Sequence, residues 1–144
     1  MVISLVAKKA KHNVSKISIS LISLQADYDP NASPYINGCY YVYLDYKLIN
    51  NTGAEIDYIT VDTYFKDKSG RLLGTVKAEF GGYYSSSMQL QVGESQTHQI
   101  YISESQPARN EFFTTMYNSK LSDFTVTFKI KSVSFSDGEH YFSE

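Results

Sequence analysis

The sequence has no tryptophan and only one cysteine, Cys39, so no disulfide can close within the chain. Small secreted domains often lean on disulfides, but a chain of 144 residues can bury enough apolar area without one. Cys39 sits between Gly38 and Tyr40, which bring neither a base nor a positive charge. It therefore reads as a small packed residue rather than a nucleophile. Charge of one sign is also missing: the formal net charge is -2 and the isoelectric point about 5.9. A general nucleic-acid binder needs a basic field to displace counterions from phosphate, so that class is set aside. The one basic cluster, Lys8, Lys9, Lys11 and Lys16 around His12, reads as a solvated arm ahead of the first strand. No long hydrophobic run is present. Residues 2–7 are apolar apart from Ser4 but too few for a membrane span or the core of a secretion signal, and the basic residues follow them instead of preceding them. The expected location is extracellular or in the cell envelope if a leader has been removed, and otherwise cytoplasmic.

Catalytic signatures are scarce too. Nucleophilic catalysis needs a base beside the nucleophile and a group that orients the base. The three histidines are scattered: His12 in the basic arm, His98 within a strand, His140 in the tail. No serine occupies a glycine-flanked elbow, and Gly81-Gly82 leads into tyrosines, not into a phosphate-cradling loop with its lysine. Asp and Glu fall mostly in turns or on polar strand faces, which gives no pair for acid–base hydrolysis. Asp27, Asp29 and Asn31 match the spacing of the first three ligands of an EF-hand loop. The pattern then fails, with Ala32 where glycine is needed and Gly38 where the bidentate glutamate belongs. The chain is read as not an enzyme, with no catalytic residues, no metal site and no cofactor.

What is abundant is tyrosine and phenylalanine, 13 and 8 residues respectively. Both suit pleated, half-buried surfaces. Alternation with a period of two confirms that leaning. Ile17, Ile19 and Leu21 share one face against Lys16, Ser18 and Ser20, and the out-of-phase Ile22 and Leu24 imply a bulge. Residues 27–34 read as a loop by composition. Tyr40, Val42, Leu44, Tyr46 and Leu48 then alternate with polar residues up to the turn at Asn50-Asn51-Thr52-Gly53. Ile59, Val61, Thr63 and Phe65 do the same before Asp67-Lys68-Ser69-Gly70 closes a hairpin. Further strands are expected around residues 71–76, 97–102 and 124–130, and a helix near residues 106–117, with Ser105 as cap and Pro107 in its first turn. Asp137-Gly138 turns the chain into a short tail, and residues 81–87 read as a flexible loop. Val42, Leu44, Val61, Phe65, Ile100, Val126 and Phe128 are the expected core. The fold class is all-β: a two-sheet antiparallel immunoglobulin-like sandwich with one short helix. Residues 15–144 form the single domain, and residues 1–14 an N-terminal arm or short edge strand.

Residues 41–135 resemble the FxLYD type of bacterial immunoglobulin-like domain. Leu48-Ile49-Asn50-Asn51-Thr52 is similar to that family's strand end. The stretch from Ile59 through Asp67 into Ser69-Gly70-Arg71-Leu72-Leu73-Gly74 resembles its central hairpin, and Leu90-Gln91-Val92-Gly93-Glu94 its later turn. Val92 stands where the family has proline, and Phe65-Lys66-Asp67 where it has Leu-Tyr-Asp. The resemblance implies an accessory domain of cell-envelope or secreted proteins, with no catalytic residues to carry over. The expected function is a non-catalytic binding or scaffolding module. A small intracellular or phage-borne interaction protein, immunity- or inhibitor-like, is the alternative. A protein or glycan partner is expected, with no nucleic acid and no membrane span. The candidate contact residues are Tyr83 and Tyr84 in the Gly/Ser loop, joined by Tyr41 and Tyr43 on the polar face of their strand, since tyrosine beside Ser and Gly suits binding surfaces.

Overall fold

The computed structural model describes residues 12–31, 38–82, 86–104 and 111–143. Seven strands follow in order: β1 Ile17–Asp29, β2 Cys39–Asn50, β3 Ile56–Lys66, β4 Leu72–Phe80, β5 Ser95–Glu104, β6 Thr125–Phe135 and β7 His140–Phe142. A seven-residue helix, α1 Glu111–Tyr117, lies between β5 and β6. The strands pair antiparallel into two sheets, ordered β1–β2–β5 and β4–β3–β6–β7. The chain therefore changes sheet between β2 and β3, between β4 and β5, and again between β5 and β6. The result is a β-sandwich.

Alternation explains why the two sheets pack. Val42, Leu44, Tyr46 and Leu48 point inward from β2, and Ile59, Val61, Thr63 and Phe65 point inward from β3, all of them buried. At the centre the Tyr46 hydroxyl lies 2.7 Å from Thr63 Oγ1, a hydrogen bond between the sheets. Burial pushes the Tyr46 phenol above its ordinary pKa, an effect the Thr63 bond partly opposes. The Tyr46 ring stands edge-on to Phe80 at 5.1 Å and to Phe128 at 6.1 Å. The bulge expected in β1 is present: register with β2 slips between Leu21 and Ser23, Ile22 turns outward, and Leu24 and Ala26 return to the core. A one-residue slip reverses every later side chain, which is how the out-of-phase apolar residues are reconciled.

Several expectations need correcting. β1 continues to Asp29, so Asp27, Tyr28 and Asp29 are strand, not loop; β2 supplies them partners, and Tyr28 packs on Tyr40 with ring centroids 4.7 Å apart. The described helix is Glu111–Tyr117, and residues 105–110 of the expected one lie outside the described residues. The tail after Gly138 is the edge strand β7, whose Tyr141 opposes Val133. Ile100, Val126 and Phe128 are half-buried, unlike Val42, Leu44, Val61 and Phe65. Ile100 sits on the edge strand β5, and Val126 and Phe128 on the part of β6 that β7 does not cover. Gly81 has a φ of +73°, and a Cβ there would stand 2.2 Å from the Asp57 carbonyl oxygen. Only glycine fits that positive φ and close approach.

Candidate functional site

The outer face of the three-stranded sheet carries a cluster of tyrosines. Tyr41 and Tyr43 point outward from β2, and β5 brings Tyr101 opposite Tyr43. The Tyr41 and Tyr101 rings are nearly parallel, 23° apart with centroids at 5.9 Å, and Tyr43 tilts against Tyr101 at 5.2 Å. Tyr41 and Tyr43 are half-buried, while Tyr101 is 51% exposed. Gln25 and Asp27 of β1 flank the cluster, opposite Tyr43 and Tyr41 respectively. One step along the sheet, Asp45 accepts hydrogen bonds from the Ser23 hydroxyl on one side and, at 3.1 Å, from Gln99 Nε2 on the other. Desolvation, then the Cys39 thiol, then nearby negative charge hold the Tyr41 phenol above its ordinary pKa, so it remains a neutral donor. The arrangement offers ring faces for stacking, with amide and carboxylate groups within reach of a ligand's hydroxyls or amides.

A second aromatic group lies at the same end of β2 but on the inward side. Tyr40 packs on Tyr28 and, at 5.4 Å, on Tyr117 at the end of α1. Tyr40 and Tyr41 thus support two aromatic clusters on opposite faces of one strand.

The sequence candidates meet mixed outcomes. Tyr41 and Tyr43 do come together, through Tyr101 of β5, which was not among the candidates. Tyr83 and Tyr84 lie outside the described residues. The chain on either side of them is anchored at the start of β3, where Met88 N–H donates to the Asp57 carbonyl at 3.0 Å. Tyr41 stands at the other end, where β2 begins. Cys39 is buried and its thiol points at the Tyr40 carbonyl, 3.5 Å away. Asp29 closes a local turn by accepting the Asn31 N–H at 2.9 Å, and Asp27 faces Tyr41 in the sheet. Among the described residues no three His, Cys, Asp or Glu side chains converge as metal ligands do. Because Ala32 and Gly38 break the EF-hand pattern, calcium, and then EDTA, are expected to leave the melting temperature unchanged. A calcium-induced rise that disappears in Asp29→Ala would reverse that assignment.

His12 is not solvated. It is buried, with Nε2 2.7 Å from Asp137 Oδ2 and its ring 4.6 Å from Phe135. A histidine oriented by an aspartate is half of a nucleophile relay. Its other nitrogen, however, faces Gly53, which has no side chain to activate. The pair pins the residues just before β1 to the β6–β7 turn. His98, half-buried beside Phe80, has its pKa lowered by desolvation, so the neutral ring is the form the fold favours.

Asn50, read from the sequence only as a turn residue, is fully buried, and its side chain is a four-way knot. Nδ2 donates to the Ala54 carbonyl at 2.8 Å and the Leu90 carbonyl at 2.9 Å. Oδ1 accepts from the Thr52 N–H at 3.0 Å and the Thr52 hydroxyl at 2.6 Å. The signal was in the alternation, since Asn50 continues the even series of Tyr40, Val42, Leu44, Tyr46 and Leu48 and so faces inward.

No family model and no curated protein matches the chain. Among solved structures, a structural-genomics target is similar at 12% identity with a TM-score of 0.46, over 88% of this chain and 80% of that one. A Bordetella pertussis protein assigned as ApaA is similar at 13% identity with a TM-score of 0.41, over 88% of this chain and 87% of that one. Likeness at this level says nothing of what the tyrosines contact.

Proposed function

We propose that the chain is a non-catalytic binding module of immunoglobulin-like, FxLYD-related type, carried by a bacterial envelope or secreted protein, and that its outer tyrosine face binds a glycan. The strand order supports the first part. Three strands ordered β1–β2–β5 against four ordered β4–β3–β6–β7 is a Greek-key arrangement with the sheet changes that immunoglobulin-type sandwiches make. The Asn50 knot occupies the strand end that carries the family resemblance.

The observation that carries the binding reading is the cluster of Tyr41, Tyr43 and Tyr101 on an open face. Sugar rings present apolar C–H faces that stack on tyrosine, and their hydroxyls match the amide and carboxylate groups of Gln25, Gln99, Asp27 and Asp45. Among the described residues Lys47, which faces Thr97 and Ser20 further along, is a cation of this face. The acidic groups beside the tyrosines favour a neutral polysaccharide over an anionic one.

Affinity electrophoresis through gels containing neutral soluble polysaccharides tests this directly, with co-sedimentation on purified peptidoglycan as a second arm. Retardation by at least one polysaccharide is expected, and Tyr41→Ala with Tyr101→Ala should weaken it by about 30-fold, the scale of a hot spot near 2 kcal/mol. These rings also pack across strands, and such pairs stabilise a sheet by themselves. Lost stability with unchanged retardation would assign them to the sheet alone, and no retardation by any polysaccharide would overturn the glycan reading in favour of a protein partner.

A further inference from the structure

Four strands bound the two sheets: β1 and β5 in one, β4 and β7 in the other. An open strand edge is a template for another chain, and proteins blunt it with bulges, lysines, proline or short length. Three of the four are blunted here. β1 carries the bulge at Ile22. β4 slips register near its start and turns Lys77 and Glu79 to solvent. β7 has three residues and covers β6 only at residues 132–134; the rest of that edge is β6 itself, which carries Lys129 and Lys131. β5 is different. It pairs with β2 over ten consecutive residues without a slip, contains no proline, glycine, lysine or arginine, and has no strand on its other side among the described residues. Beside that edge stands the exposed ring of Tyr101.

We propose that β5 is a dimerisation edge whose occupant is β5 of a second copy of this chain, paired antiparallel about Tyr101. The strand is chemically self-complementary about that residue. A two-fold axis through Tyr101 sets Tyr101 opposite Tyr101, Ile100 opposite Ile102, and Gln99 opposite Ser103. Tyrosine, Gln and Ser then share the outer face, and the isoleucines share the inner one. Such a contact is isologous, the symmetry that a closed homodimer requires. Backbone pairing joins the two three-stranded sheets into one of six strands, and the Tyr41, Tyr43 and Tyr101 faces of the two copies become one continuous surface. Two linked sites of that kind raise avidity without any new contact.

The test is the mass of the full chain in solution, by sedimentation equilibrium from micromolar to hundreds of micromolar. The wild type is expected to dimerise in that range. Tyr101→Lys and Tyr101→Glu each place like charges face to face, so each alone should weaken the dimer by about tenfold or more while circular dichroism still shows the folded sandwich. Mixing the two variants should restore a dimer with one copy of each. A separate variant, Gln99→Lys with Ser103→Glu, sets opposite charges across the same register and should tighten the dimer. A wild type that stays monomeric throughout overturns the proposal. So do Tyr101 variants that dimerise like wild type, a mixture that remains monomeric, or a Gln99→Lys, Ser103→Glu dimer no tighter than wild type.

Discussion

Replacing Asn50 by aspartate is expected to destabilise the fold by about 3–5 kcal/mol at neutral pH, and by clearly less near pH ~4. The two side chains are nearly the same size, so the effect isolates hydrogen-bond chemistry. Nδ2 donates to the carbonyls of Ala54 and Leu90; a carboxylate oxygen there would face two acceptors at hydrogen-bond distance in a fully buried position. The ionised form is thus disfavoured in the fold, and the folded pKa of the new group must lie above the ~3.9 of the unfolded chain. As pH rises through ~3.9 the unfolded chain releases its proton while the folded chain keeps it, so stability falls as pH rises through that window. Below it, a protonated carboxyl donates to one of the two carbonyls and recovers part of the loss. Urea denaturation of variant and wild type at both pH values measures the difference, with the protein's other carboxylates cancelling. An equal deficit at both pH values would show that the knot is tolerant of charge.

The second large effect is Phe65→Ala, expected to cost about 3–5 kcal/mol and to lower the melting temperature by on the order of 10 °C. Phe65 is fully buried near the end of β3, and its ring meets Phe112 of α1 at 5.4 Å and Phe124 edge-on at 5.7 Å. Phe112 in turn lies over Gly74, where a Cβ would come within 2.5 Å of its ring. The cavity would therefore open beneath the helix and loosen its seat on both β3 and β4. Phe128→Ala should cost less, because its half-buried ring already leaves area in water. Thermal melts of both variants rank them. A Phe128→Ala loss as large as that of Phe65→Ala would mean that the margin of the sandwich is packed as tightly as its centre.

The strands were legible because alternation is local. The reading of β2 and β3 ended on the residues where those strands end, since each is bounded by a turn whose residues tolerate the required dihedrals, Asn50 to Gly53 and Asp67 to Gly70. The extension of β1 to Asp29 was not legible, because Asp, Tyr and Pro in a row look like loop until Tyr40 and Tyr41 supply the other half of the ladder. Part of the candidate site was legible in the same way. Tyr41 and Tyr43 fall on the polar face of β2 by phase alone, and so does Tyr101 on β5, but nothing local says that β5 is the neighbour of β2.

Which residues face in and which face out is a short-range matter of pleat and phase, and the order of amino acids is sufficient for it. Partnership is a long-range matter. Asp45 meets Gln99 across 54 positions, Asn50 meets Leu90 across 40, and His12 meets Asp137 across 125. These contacts exist only once two sheets have chosen their strand order and closed on each other. Many orders place the same apolar faces inward at similar free energy, so hydrophobic patterning cannot select among them. The selection falls to directional interactions such as the Asn50 knot and the Tyr46–Thr63 bond, whose partners are brought together only by the assembled sandwich.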